Sequence, residues 1–96
     1  MDRRHALELL QRCKPELQTR FGVSRLALFG STARDAARND SDVDVLVAFD
    51  GPATSQRYFG VQFYLEDLLG VPVDLVSEKA LRPELRRYVE QDQIDV

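Results

Sequence analysis

The chain has 96 residues, of which 44% are hydrophobic and 30% are charged, and its formal net charge is −3. This length predicts a single domain over residues 1–96 with one modest hydrophobic core. No apolar stretch approaches the roughly 20 residues that cross a bilayer, which excludes a membrane-spanning protein. The negative charge excludes a protein whose whole surface binds nucleic acid.

The chain contains one cysteine, Cys13, which excludes an intrachain disulfide. A lone cysteine on a predicted helix favours a small buried hydrophobic side chain over a catalytic thiol. The basic N-terminal segment continues as an amphipathic pattern without an uninterrupted apolar core, so we do not interpret it as a signal peptide. We therefore expect a protein of the reducing cytoplasm.

The first predicted element is a helix whose first turn can be capped by Asp2. Pro15 interrupts the helical pattern and is expected to begin a second helical piece that ends near Phe21 and Gly22. The short apolar run over 24–29, directly before Gly30, predicts a strand. The elements that follow it are a short helix from 31 to about 37, a polar loop over 37–41 and a strand over 43–49.

The second half of the chain continues the alternation. It contains a helix over 56–69 closed by Gly70, a strand over 71–77 and a final helix over 83–89 that begins at Pro83. The order αβαβαβα predicts an α/β fold in which a small mixed sheet of about three strands is flanked by helices. Phe59, Phe63 and Tyr64 are expected to pack in the core rather than stack on a base.

Two carboxylates lie at the start of the strand over 43–49. Asp42 and Asp44 are separated by one residue, and side chains at i and i+2 of a strand point to the same face. The apolar side chains on the other face then point to the core: Val43, Val45, Val47 and Phe49. Neighbouring carboxylates repel, and Mg²⁺, a hard ion that takes oxygen ligands, would remove the conflict.

Asp40 also precedes this strand, and the run from Asp40 resembles the start of a calcium-binding EF-hand loop. The run does not complete that loop, because Val45 stands where glycine is required and Gly51 stands where glutamate is required. Asp40 is therefore interpreted as a loop residue. By itself, the Asp-x-Asp pattern is also typical of strand-capping or edge residues.

Gly30 and Ser31 end one strand and begin a short helix. Helix N-termini present free backbone N–H groups, glycine permits close approach of the backbone to a ligand, and Ser31 can donate a hydroxyl. Arg34 lies one turn further on and can reach an anion. By itself, a Gly-Ser pair at a helix start is more typical of an N-cap. Together with the carboxylates, this segment favours phosphate binding, although it lacks the Gly-Lys-Ser/Thr sequence of a Walker A loop.

Asp74 is a single charge in the otherwise apolar strand over 71–77. If this strand lies beside the strand over 43–49, Asp74 completes a cluster of three carboxylates with Asp42 and Asp44. Three carboxylates beside a phosphate-binding turn predict a two-metal site for phosphoryl transfer, in which Asp74 can also accept a proton.

These motifs resemble the nucleotidyltransferase superfamily of DNA polymerase beta. Its pattern is Gly-Ser, ten residues and then Asp-x-Asp, which is met here by Gly30-Ser31, residues 32–41 and 42–44; Asp74 matches the third carboxylate. More narrowly, the chain is similar to the minimal nucleotidyltransferases (MNT), antitoxin partners of HEPN-domain toxins. One departure is Asp35, where many relatives carry glycine, so the path of the loop is open.

The resemblance implies transfer of AMP from ATP, with two Mg²⁺ ions held by Asp42, Asp44 and Asp74 and the triphosphate bound by Gly30, Ser31 and Arg34. It also implies that the acceptor is a tyrosine of a HEPN ribonuclease toxin, with which the chain forms a complex, and it gives no reason to expect direct nucleic-acid binding. A helix face with Arg82, Arg86 and Arg87 can bind such a partner, extend the phosphate site or simply be solvated.

Two other functions remain open from the sequence. The chain can be an antitoxin that blocks its toxin by binding alone, with an idle nucleotide site. It can also transfer a nucleotide to a small molecule or to an RNA end. The nucleotide preference, the acceptor residue, the number of AMP units and the oligomeric state are not encoded in any motif that we recognise.

Overall fold

The computed structural model describes residues 1–36 and 42–96. Its elements, in chain order, are α1 (Arg3–Phe21), β1 (Val23–Phe29), α2 (Gly30–Ala33), β2 (Val43–Phe49), α3 (Ser55–Leu69), β3 (Val73–Ser77), a 3₁₀ turn (Glu78–Ala80), α4 (Pro83–Asp92) and β4 (Ile94–Asp95). None of the described helices combines the length and the apolar character needed to cross a bilayer.

The strands form one mixed sheet in the order β3-β2-β1-β4. β1 is antiparallel to both β2 and β4, whereas β2 and β3 are parallel. The predicted mixed sheet flanked by helices is thus confirmed, with one strand more than the three expected. β4 has only two residues, Ile94 and Asp95, and so short a segment carries no alternation that would identify it.

One face of the sheet is covered by α1 and α3. Alternate residues of β2 point to this face, and Val43, Val45 and Val47 are all at most 1% exposed. They pack against the buried sides of the two helices within one hydrophobic cluster. The prediction that these valines point to the core is confirmed.

The opposite face of the sheet is covered more sparsely, by α4. Its buried cluster consists of Ala27, Leu46 and Val89, with Phe29, Val76 and Leu81 packed around it. Because Asp44 and Leu46 are two residues apart on β2, they share this face. The sequence-predicted carboxylates therefore lie on the thinly covered side of the sheet.

The expectation that Pro15 begins a second helical piece is wrong. α1 runs unbroken from Arg3 to Phe21, with the Asp2 carboxylate accepting a hydrogen bond of 2.7 Å from the backbone N–H of His5, as predicted for the cap. Proline inside a helix costs about 3 kcal/mol. Pro15 lies on the exposed side of α1. The other side buries a continuous stripe on the sheet, formed by Ala6, Leu10, Cys13 and Leu17. Burial of one leucine contributes about 1.5–3 kcal/mol, so the stripe outweighs the cost of the proline.

The expected burial of Phe59 and Phe63 is also wrong. They are 48% and 63% exposed and their rings stack on each other with centroids 6.3 Å apart. The core face of α3 is formed instead by Val61, Leu65 and Leu69. Tyr64 does pack against the core, and its hydroxyl donates a hydrogen bond to Glu16.

Candidate active site

Asp44 and Asp74 meet across the parallel strands β2 and β3, at one edge of the sheet. They are direct partners in the register of β2 and β3, on the side of the sheet that faces α4. Their carboxyl groups are close enough to share a hydrogen bond when one of them is protonated. The structure thus brings together two of the three predicted carboxylates, as expected from the placement of β3 beside β2.

Asp42 lies immediately before β2 and is exposed, and its charge acts on Asp44. Within residues 1–36 and 42–96, however, no three carboxylate, histidine or cysteine side chains converge closely enough to hold a metal ion. The geometry is therefore a carboxylate pair with Asp42 at its side, and the role of all three as metal ligands stays a prediction. Asp40, interpreted as a loop residue, lies outside the described residues.

Gly30 lies in direct contact with the Asp44 carboxylate. Its φ of +73° is in the left-handed region that favours glycine, and a Cβ atom built on Gly30 would lie 2.1 Å from Oδ2 of Asp44. Real Cβ atoms do not approach an oxygen so closely. The glycine therefore permits both the turn from β1 into α2 and the contact of this turn with the carboxylate.

Ser31 and Arg34 come from α2, the short helix that follows Gly30. Ser31 is half-buried within α2, and Arg34 closes this helix, which ends earlier than predicted. The Arg34 guanidinium donates a hydrogen bond of 2.6 Å to the Asp92 carboxylate at the end of α4. The positive charge of Arg34 is also close enough to act on Asp44. The Gly-Ser turn, the arginine and the carboxylate pair thus form one site.

Asp35 shows how the chain follows a turn that favours glycine. Its φ is +59°, the only positive value at a non-glycine residue in the described part of the chain. Aspartate tolerates this region better than most residues, and its carboxylate accepts a hydrogen bond of 3.2 Å from the backbone N–H of Arg3. The departure from glycine noted in the sequence is therefore accommodated locally.

Asp44 resists ionisation in this surrounding. Burial, followed by the charge and the hydrogen bond of Asp74 and the charge of Asp42, raises its pKa from 3.8 to about 6, while the charge of Arg34 opposes the shift. A carboxylate with a raised pKa gains most from an added positive charge. The donor set therefore fits a divalent cation, which would favour the ionised form of Asp44.

The raised pKa of Asp44 predicts how stability depends on pH without metal. The protonated Asp44 side chain contributes to the free energy of unfolding. This contribution is fully present below pH 3.8, is lost progressively as pH rises from about 4 to about 6, and is absent above about pH 6. In EDTA, we expect the Asp44→Asn protein to match wild type near pH 4 and to exceed its free energy of unfolding by about 1–2 kcal/mol above pH 6, since solvent screening reduces the full effect.

Thermal and urea unfolding of both proteins from pH 4 to 8 measures this difference in the free energy of unfolding. Carboxylates that do not act on Asp44 contribute equally to both proteins and cancel. Asp67→Asn, at an exposed position of α3, controls for the loss of one negative charge. Parallel curves for wild type and Asp44→Asn over the whole range would contradict the raised pKa.

A groove runs beside the site between α4 and the sheet, with a volume of about 310 Å³. Its lining includes Gly30, Asp74 and the Arg34–Asp92 ion pair. The remaining lining residues are apolar or aromatic: Phe29, Val76, Leu81, Leu85, Tyr88 and Val89. The cavity formed by all of these residues is called the α4 groove below.

Asp92 and the apolar residues of the α4 groove were not predicted as site residues. A signal for them exists in the sequence, because Leu85, Val89 and Asp92 recur at helical spacing and so share one side of α4. What the spacing does not reveal is that this side faces the carboxylates. That depends on the face of the sheet to which α4 returns.

Comparisons with known proteins show the family and the fold of the chain. Residues 10–96 match the family described as the nucleotidyltransferase domain. The chain is 42% identical to the protein adenylyltransferase MntA of Thermococcus cleftensis over 76 residues, which are 79% of this chain and 77% of the relative. A solved structure described as a minimal nucleotidyltransferase is 42% identical, with a TM-score of 0.83 over 100% of this chain and 97% of that chain.

A more distant likeness concerns the fold alone. A chain in the solved complex of tri-AMPylated Shewanella oneidensis HEPN toxin with MNT antitoxin is 19% identical, with a TM-score of 0.61 over 97% of this chain and 66% of that chain. The matched family and the two relatives that are 42% identical confirm the predicted fold and the resemblance to minimal nucleotidyltransferases.

Proposed function

Because this chain belongs to the nucleotidyltransferase domain family, we propose that it transfers AMP from ATP to a tyrosine of a HEPN-domain toxin and so acts as its antitoxin. The observation that carries the proposal is the Asp44–Asp74 pair in contact with the Gly30 turn. A relative with 42% identity is named a protein adenylyltransferase, and the same fold occurs in a complex with an AMPylated HEPN toxin.

The triphosphate of ATP is proposed to lie on the turn that begins α2. Gly30 lets this turn lie against the Asp44 carboxylate, and the Ser31 hydroxyl is proposed to donate a hydrogen bond to a phosphate oxygen. Arg34 uses one guanidinium nitrogen for Asp92, and its remaining N–H groups are available to a phosphate oxygen. In this proposal, the α-phosphorus lies near the carboxylate pair.

Mg²⁺ is proposed to bind to Asp42, Asp44 and Asp74. When bound, the ion neutralises the charge of the triphosphate and of the departing pyrophosphate and lowers the pKa of the attacking hydroxyl. Asp44 and Asp74 are already adjacent in the register of β2 and β3. Asp42 is exposed at the start of the same strand, so its side chain can turn toward the pair.

In the proposed reaction, the phenolic oxygen of the acceptor tyrosine attacks the α-phosphorus of ATP. The new bond joins this oxygen to phosphorus, the bond from phosphorus to the oxygen that bridges to the β-phosphate breaks, and pyrophosphate leaves with that electron pair. Asp74, exposed on its strand, accepts the phenolic proton and passes it to solvent. We propose that this occurs in the cytoplasm, where ATP is available.

The experiment combines the chain with ATP, Mg²⁺ and a HEPN-domain protein from the same genome, and measures the intact mass and ribonuclease activity of that protein. We expect the mass to rise by one or more AMP units and the ribonuclease activity to fall. Changing the modified tyrosine to phenylalanine should prevent both effects.

Two outcomes would contradict the proposal. Loss of ribonuclease activity without added mass indicates an antitoxin that acts by binding alone. Transfer of AMP to an RNA end or to a small molecule, but not to the HEPN protein, indicates a different acceptor class.

A further inference from the structure

We infer that the α4 groove is the acceptor subsite, where it holds the aromatic ring of the acceptor side chain within an acidic segment of the partner protein. This inference rests on the proposed function and adds to it where the acceptor binds and which chemistry selects it. The position of the groove is the first argument. Gly30 and Asp74 both line the groove, so a ring held there can direct its hydroxyl to the carboxylate pair.

The second argument is the incomplete burial of the apolar side of α4. Of the ten residues of α4 only Val89 is buried, whereas Leu85 and Tyr88, which also line the groove, are 50% and 69% exposed. Exposed apolar surface of this kind marks interaction sites. A volume of about 310 Å³ is at the lower end of the range for small-ligand pockets, which suits one aromatic ring.

The third argument is that a concave surface with both apolar and charged residues continues past the groove. Tyr88 also lines a neighbouring cavity of about 560 Å³, formed with Pro83, Glu84 and Arg87 on the outer part of α4. The concave surface therefore extends from Asp74 around Tyr88 to the start of α4. A nucleoside would occupy only a part of this combined surface, whereas an extended protein segment would cover all of it.

The fourth argument is charge. Arg82, Arg86 and Arg87 are exposed on α4 or directly before it, and within residues 1–36 and 42–96 none of them takes part in an ion pair. Of the three, Arg87 lines the cavity beside Tyr88, which Glu84 also lines. Local positive charge in a chain of net charge −3 attracts an acidic partner segment and directs its approach. Among the roles considered for these arginines, we therefore assign Arg87 to partner binding.

The test separates acceptor binding from nucleotide binding in Tyr88→Ala and Leu85→Ser. The first probe is Mg²⁺ with AMP-PNP, whose Kd is measured by calorimetry, and the second is the HEPN protein that wild type modifies, whose KM is measured from initial rates of AMP transfer. We expect KM for the HEPN protein to rise about tenfold in each variant, as for other central interface residues, with Kd for AMP-PNP within twofold of wild type. Both side chains are half or more exposed, so the variants should fold.

Phe63→Ala is the matched control, because Phe63 is an aromatic residue 63% exposed on α3, on the opposite face of the sheet. It should change neither constant. Arg87→Glu should raise KM for the HEPN protein most at low salt, because charge attraction is screened as ionic strength rises.

Three results would overturn the inference. A rise in Kd for AMP-PNP equal to the rise in KM would assign the groove to adenine. An unchanged KM for the HEPN protein in both groove variants would place the acceptor elsewhere. If wild type neither binds nor modifies the HEPN protein, the proposed function itself fails, which is distinct from a groove variant that fails while wild type is active.

Discussion

Replacing Asp44 with asparagine should reduce AMP transfer on the order of 10³-fold, equivalent to about 4 kcal/mol of transition-state stabilisation. Asparagine keeps the size of the side chain but removes the negative charge that Mg²⁺ would require. The fold should survive, because the carboxylate is half-buried beside Asp74 and its charge opposes folding at neutral pH. The variant should therefore be more stable than wild type in EDTA at pH 7, and much less active.

The measurement pairs initial rates of transfer with thermal unfolding in Mg²⁺ and in EDTA. Mg²⁺ should raise the Tm of wild type, by about 4–8 °C for each kcal/mol of binding in a domain of this size, and should leave the Tm of Asp44→Asn unchanged. Asp50→Asn is the matched control, because Asp50 follows the other end of β2, where it pairs with Arg57. Asp50→Asn should retain both activity and the response to Mg²⁺.

Either of two results would contradict this account of Asp44. If Asp44→Asn transfers AMP at a rate near that of wild type, the carboxylate pair is not the metal site. If the variant is inactive but still gains stability from Mg²⁺, the ion binds elsewhere and Asp44 has a different role in the reaction.

Replacing Gly30 with alanine should have the second-largest effect, on both stability and activity. The variant has two costs, because φ at this position is +73° and the new Cβ would lie 2.1 Å from Oδ2 of Asp44. The backbone cost is about 1 kcal/mol. Displacing the carboxylate adds to it, so we expect a total loss of about 2–4 kcal/mol and a transfer rate reduced at least 100-fold.

Gly70→Ala isolates the backbone cost. Gly70 has φ of +72°, and a Cβ there would meet nothing within 4 Å. This variant should lose only about 1 kcal/mol of stability and should transfer AMP at the wild-type rate. Urea unfolding and initial rates of the two glycine variants give the comparison.

A double-mutant cycle keeps the test informative even if Gly30→Ala folds poorly. In an Asp44→Ala background the carboxylate is absent, so the stability cost of Gly30→Ala should fall toward that of Gly70→Ala. An equal cost in both backgrounds would show that contact with Asp44 is not the reason for glycine at this position.

Much of the site followed from local patterns in the sequence. Strand alternation placed Asp44 on the face opposite Val43 and Val45, and the polar position in the apolar run around Asp74 marked a second carboxylate. Both inferences depend only on the two-residue period of a strand. That β3 pairs directly with β2, residue 74 opposite residue 44, was a condition of the prediction and required the structure.

The errors share one physical cause. Propensity predicted a break at Pro15 and burial of Phe59 and Phe63, but packing outweighed both, since α1 buries a continuous stripe on the sheet and α3 turns a different side to the core. β4 was missed because its two residues are strand only through their pairing with β1. Such features depend on neighbours distant in the chain.

By itself, the sequence determined the alternation of elements, the core face of β2 and the spacing of the Gly-Ser turn and the carboxylates, because each is set by residues close in the chain. Only the tertiary structure decided that α4 covers the same face as Asp44 and Asp74, that Arg34 pairs with Asp92, and that an apolar groove opens between them. These depend on where a helix returns to the sheet after a turn, and no local period encodes that choice.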